Sequence, residues 1–134
     1  MPQMIFVNFP VKDLATTTAF YEVLGFVKNA QFSDENASSV VLSESIVFML
    51  LSEPFFKSFI TKELADVTAT TSATIAISRE SREAVDEFAD KALASGATTG
   101  REPQDFGFMY GRSFHDPDGQ LIEAMWMDPA QIQG

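Results

Sequence analysis

The chain has 134 residues, 46 % of them apolar, and a formal net charge of -10. That is the length of one ordinary domain, and nine dispersed basic residues against nineteen acids exclude nucleic acid and anionic membrane surfaces as partners, because the chain lacks the clustered cations that would displace the counterions of either. There is no cysteine, which removes disulfides, thiolate metal sites and a cysteine nucleophile; with no basic leader and no apolar run near the ~20 residues of a membrane helix, the expected location is the cytoplasm.

In chain order, Ile5 to Val11 alternates in the manner of a strand, with Ile5, Val7, Phe9 and Val11 on one side and Phe6, Asn8 and Pro10 on the other. Asp13 is a good N-cap, and Thr16, Ala19, Phe20, Val23 and Leu24 form one helical stripe that Gly25 ends. Strands are predicted at about 26–33, 38–43 and 46–52. A connector over 53–71 follows, with a short helix around Phe55, Phe56, Phe59 and Ile60 and then a loop placed to cover a site. The pattern then repeats: a strand at Thr74 to Ser78, a helix capped by Ser81 with Val85, Phe88, Ala89, Ala92 and Leu93 in its stripe, Gly96 as its stop, and strands at about 97–101, 107–115 and 120–127.

The two halves superimpose in sequence. Asp13 and Ser81 each precede a Phe by seven positions, Phe20 and Phe88, and the last strands end in Glu53-Pro54 and Asp128-Pro129. The expected fold class is therefore α+β, one domain over 1–134. It comprises two βαβββ modules, 1–60 and 72–134, joined by a linker at 61–71. Their curled mixed sheet surrounds a cavity, with helices on the outer face.

The segment Asp116-Pro117-Asp118-Gly119 has turn chemistry throughout and joins the last two strands as a hairpin. A turn of those four residues pairs His115 with Gln120, Arg112 with Glu123 and Tyr110 with Met125. Glu123 then lies on the cavity face with Tyr110 and Arg112, either as a functional carboxylate or as a cross-strand ion pair with Arg112. His115, the only histidine, points away from Glu123 in that register. The run Met125, Trp126, Met127 reads mainly as core. No phosphate-binding glycine loop, zinc-binding helix or nucleophile elbow is present.

The stretches FPVKDLATTTAFYEVLGF (residues 9–26) and DPDGQLIEAMW (residues 116–126) resemble the two signature regions of the vicinal oxygen chelate superfamily, which holds glyoxalase I, bleomycin-resistance proteins and extradiol dioxygenases. The resemblance spans essentially the whole chain and its repeat. It implies paired modules, a homodimer, and, in metal enzymes, ligands from the first and last strands of each module. Carried over, those positions are Phe6, Thr74, Phe48 and Glu123. Only Glu123 has the chemistry of a ligand to a divalent ion.

Two functional readings follow. The first is a metal-independent module that binds a small molecule in an apolar pocket of Phe6, Phe48, Leu50 and Met125, with Asn8, Thr74, Tyr110, Arg112 and Glu123 as polar contacts and no cofactor. The second is a lyase, isomerase or dioxygenase in which Glu123 is a catalytic base, or joins a noncanonical divalent-metal site with His115.

Overall fold

The computed structural model describes residues 3–131. The outer ends of the two expected modules, residues 1–2 and 132–134, lie outside the described residues. The chain divides between Asp66 and Val67 into two compact units. Each carries its own open sheet, and together they make a mixed α+β fold of two β-α-β-β-β repeats.

In the first unit, β1 (Ile5–Val11) leads into α1 (Leu14–Val23), then β2 (Val27–Lys28), β3 (Ala37–Ser43), β4 (Ile46–Ser52) and the short α2 (Glu53–Lys57). The strand order is β1-β4-β3-β2, with β1 parallel to β4 and the other pairs antiparallel. The Asp13 side chain caps α1 by accepting from the Thr16 amide at 3.1 Å. The buried stripe of α1 is Thr17, Phe20, Tyr21 and Leu24, while Val23 is half exposed, so the helix is rotated from the expected stripe. Tyr21 causes the rotation: its ring packs edge-on against Phe20, Phe26 and Phe48 at 5.0–5.4 Å. The expected strand at 26–33 is cut to two residues because Asn29 turns its side chain onto the Gln31 amide and starts a 3₁₀ turn at Ala30–Phe32.

The second unit runs β5 (Ile75–Ser78), α3 (Arg82–Ala94), β6 (Thr98–Thr99), β7 (Gln104–Asp105), β8 (Met109–His115) and β9 (Leu121–Met127). Its order is β5-β9-β8-β6, with β5 parallel to β9 and β7 pairing the far end of β8. Ser81 caps α3 through the Ala84 amide at 3.0 Å, and Val85, Phe88, Ala89 and Ala92 bury against Phe114, Ile122 and Ala124. At the start of this unit Val67 and Thr68 lie against Gly119 in the β8–β9 turn.

The β8–β9 register differs by one residue from the expected one. His115 pairs with Leu121, Ser113 with Glu123, Arg112 with Ala124 and Tyr110 with Trp126. Gly119 is the reason. The Gly119 amide donates to the Asp116 carbonyl at 2.9 Å, closing the turn; Gly119 itself takes φ of 103°, and Gln120 then pairs with Asp116. A turn followed by a left-handed glycine adds one bulged residue, and one residue of slip exchanges the two faces of a strand. Glu123 therefore shares the face away from α3 with His115, Ser113 and Met125. Tyr110 and Arg112 face the helix instead.

Among the described residues no helix is long and apolar enough to cross a membrane.

Candidate functional site

The open face of the second unit holds a cleft of about 190 Å³ lined by Thr74, Gly100, Arg101, Ser113, His115, Leu121 and Glu123. Strand alternation brings His115, Ser113 and Glu123 to this face, and Thr74, the residue before β5, lies beside them. Arg101 reaches in from the segment after β6. Its amide donates to Ser113 Oγ at 3.1 Å, and its guanidinium Nη2 donates to Glu123 Oε2 at 2.8 Å. Glu123 is largely covered, with 23 % of its side chain exposed, whereas Arg101 keeps 55 %. Gly100 makes this approach feasible: a Cβ there would lie 2.3 Å from Ser113 Oγ and 3.0 Å from the Ser113 carbonyl carbon.

The open face of the first unit is apolar. Phe6, Asn8, Met49 and Leu51 floor a groove of about 610 Å³ whose far wall is Phe55, Phe56, Phe59 and Ile60 from α2 and the turn after it. Phe55 and Phe59 pack edge-on at 4.9 Å, which holds that wall together. A second groove of about 700 Å³ shares Phe6, Asn8 and Met49 and extends to Asn29, Phe32, Ser39 and Val47. Phe6 is 55 % exposed and Phe32 and Phe59 more so. The Asn8 amide makes only a long contact, 3.4 Å, to the Phe6 carbonyl.

The helix side of the second unit carries a charged network. Tyr110 Oη donates to Asp86 Oδ1 at 2.6 Å, and Arg112 Nη1 donates to both Asp86 and Asp90 at 3.0 and 2.9 Å. The hydrogen bond from Tyr110, then that from Arg112, hold the Asp86 carboxyl below its ordinary value; the same bond to Asp86 raises Tyr110. Arg82 grips Asp105 with two bonds of 2.8 Å while stacking over the rings of Tyr110 and Trp126. That grip lowers Asp105 to about 2.

The residues singled out in the sequence thus fall into four places. Phe6 and Asn8 meet on the apolar face of the first unit. Thr74, Glu123 and Met125 share the open face of the second. Phe48 and Leu50 are fully buried under α1, with Phe48 among the rings of Phe9, Tyr21 and Phe26, so they are core and do not line a pocket. Tyr110 and Arg112 are tied to α3. The open-face residues of β4 are Val47, Met49 and Leu51. Sequence reading missed Met49 and Arg101, and turned His115 to the wrong side. A bulge at Gly119 in the register would have recovered His115, whereas Arg101 lies in a segment without periodicity.

The family-type metal positions can be weighed on this geometry. Phe6 is a hydrocarbon, Phe48 is in the core with Val47 and Met49 flanking it on the open face, Thr74 is a neutral hydroxyl, and Glu123 is engaged by Arg101. Among the described residues, no three His, Asp or Glu side chains converge on a point an ion could occupy.

The family model described as Glyoxalase/Bleomycin resistance protein/Dioxygenase superfamily matches residues 3–124. The chain belongs to this superfamily. Solved structures agree on the fold. A hypothetical protein from S. aureus is 24 % identical with a TM-score of 0.78, covering 94 % of each chain. A family member from Burkholderia phytofirmans PsJN is 17 % identical with a TM-score of 0.77, covering 94 % of this chain and 99 % of its own. A genomically encoded fosfomycin resistance protein from Listeria monocytogenes is 21 % identical with a TM-score of 0.67, covering 94 % and 93 %. No curated protein matches the sequence.

Proposed function

We propose that this superfamily member is a cytoplasmic, homodimeric binding protein for a small organic molecule, and that it works without the family-type metal. The observation that carries the reading is the aromatic groove around Phe6, Asn8 and Met49, of a size typical of small-molecule sites. Its surface is apolar with one amide, so it suits a flat or branched hydrocarbon body bearing a single hydrogen-bonding group. The chain's charge of -10 favours a neutral or cationic ligand there. The donor set does not fit a divalent ion, which needs three or more good protein ligands. The resistance to bleomycin and to fosfomycin in the names of the family and of one similar structure is consistent with a groove for a small organic molecule.

The test is titration with a neutral polarity-sensitive dye such as N-phenyl-1-naphthylamine. Saturable fluorescence at one site per chain, lost in Met49→Glu with folding intact, is expected. A dye signal indifferent to Met49→Glu would refute the groove as the site.

A second reading is supported by the corrected register, which gathers Glu123, His115, Ser113 and Thr74 around one cleft. In that reading Glu123 is a metal-free base. Glu123→Gln then abolishes turnover of any substrate found by screening, and retained turnover removes Glu123 from the chemistry.

A further inference from the structure

The cleft of the second unit has chemistry that the apolar groove lacks. Of the four arginines, Arg79 lies over the Phe88 ring, Arg82 is bound by Asp105, and Arg112 is bound by Asp86 and Asp90. Arg101 lines a cavity instead, and its guanidinium makes one hydrogen bond, to Glu123. A guanidinium carries five N–H donors and pairs with carboxylates along more than one edge. Arg112 demonstrates this within the same unit, since a single nitrogen serves two carboxylates.

We infer that Arg101 is the built-in cation of this cleft, standing on Glu123 where a divalent ion would otherwise sit, and that it recognises a small carboxylate ligand through its remaining N–H groups. Glu123 occupies one N–H of the guanidinium and so competes with the ligand for it. Gly100 and Ser113 set the backbone that delivers it. His115 and Thr74 lie in the same wall and offer further hydrogen bonds to the ligand. The small volume admits a ligand of a few heavy atoms, or the carboxylate end of a longer one. The chain's overall negative charge does not forbid this, because acids more than about 10 Å away are screened at physiological salt.

The single histidine makes the test direct, because its ring signals in the NMR spectrum of tag-free protein need no assignment. Acetate is the probe. The expected result is a saturable shift of the His115 ring signals in the wild type. Arg101→Met weakens the interaction by about tenfold or more, and Arg101→Lys weakens it less. Glu123→Gln tightens it, since the competing carboxylate is gone. That last sign separates this site from a metal site, in which Glu123→Gln can only weaken binding. Mn(II) added to the wild type is expected to leave the His115 signals unbroadened at stoichiometric concentration. An acetate response equal in Arg101→Met and wild type would overturn the inference. So would no acetate response in the wild type, or stoichiometric Mn(II) broadening that Glu123→Gln removes. Should Arg101→Met fail to fold, the Glu123→Gln sign and the Mn(II) result still decide.

Discussion

Phe48 gives the most direct check of which face of the first sheet is the core. Its side chain is fully buried and three aromatic rings, Phe9, Tyr21 and Phe26, stand at 5.0, 5.4 and 4.9 Å. Phe48→Ala removes a ring from the centre of that cluster. Truncating a buried Phe costs about 3–5 kcal/mol through lost transfer energy and the cavity left behind. Aromatic pairs add roughly 0.5–1.5 kcal/mol beyond area, so the upper half of the range, about 4–5 kcal/mol, is expected. That is a large part of the 5–15 kcal/mol available to a typical domain. Phe6→Ala, at a position 55 % exposed, is the control and is expected to cost under about 1 kcal/mol. Urea unfolding followed by near-UV circular dichroism, which reports the aromatic cluster, measures both. A Phe48→Ala cost near that of Phe6→Ala would refute the assignment of faces and return Phe48 to the open side.

Three further outcomes are expected. Asp105 is held at about 2, below its ordinary 3.8, so its bond to Arg82 contributes stability above that ordinary value, and the contribution disappears as pH falls through about 2. The urea midpoints of wild type and Asp105→Asn therefore differ at pH 5 and converge in acid; a gap that widens on acidification would contradict this. Gly100→Ala forces a Cβ into Ser113 and is expected to cost about 1–3 kcal/mol in thermal unfolding, with Ser113→Gly restoring part of the loss in the double variant; no recovery would mean the two do not touch. Gly119→Ala combines a φ of 103° with a Cβ 3.0 Å from the Val67 carbonyl oxygen, so a midpoint unchanged from wild type in the same assay would contradict the turn geometry.

The order and type of the main elements were legible because each module repeats strong signals. Alternation marks β1 and β4, caps at Asp13 and Ser81 mark the helices, and turn residues close β8 to β9. Two kinds of information were hidden. One is local competition: Asn29 ends β2 early, and β7, only Gln104–Asp105, is too short and polar to show a period. The other is face. Phe48 is a valid pocket residue or a valid core residue on composition alone, and only the partner strands decide. In the last hairpin, a single bulged glycine moved Tyr110 and Arg112 to α3 and brought His115 beside Glu123. Arg101 was beyond reach because its partner, Glu123, lies twenty-two positions away.

The strand order also governs how the polypeptide comes together in time. In each unit the first strand is parallel to the last, so β1 waits for β4, about forty residues on, and β5 waits for β9, a similar distance away. Neither first strand has a partner in its own sheet until the final segment of its module has left the ribosome. The β3–β4 and β8–β9 hairpins, built from local pairings, are the natural nuclei, and capture of β1 and β5 is the late, loop-closing event. Because β4 is complete by Ser52, the first sheet can close while the second is still being synthesised. Such staggering keeps the two similar sets of strands from competing for one another's partners.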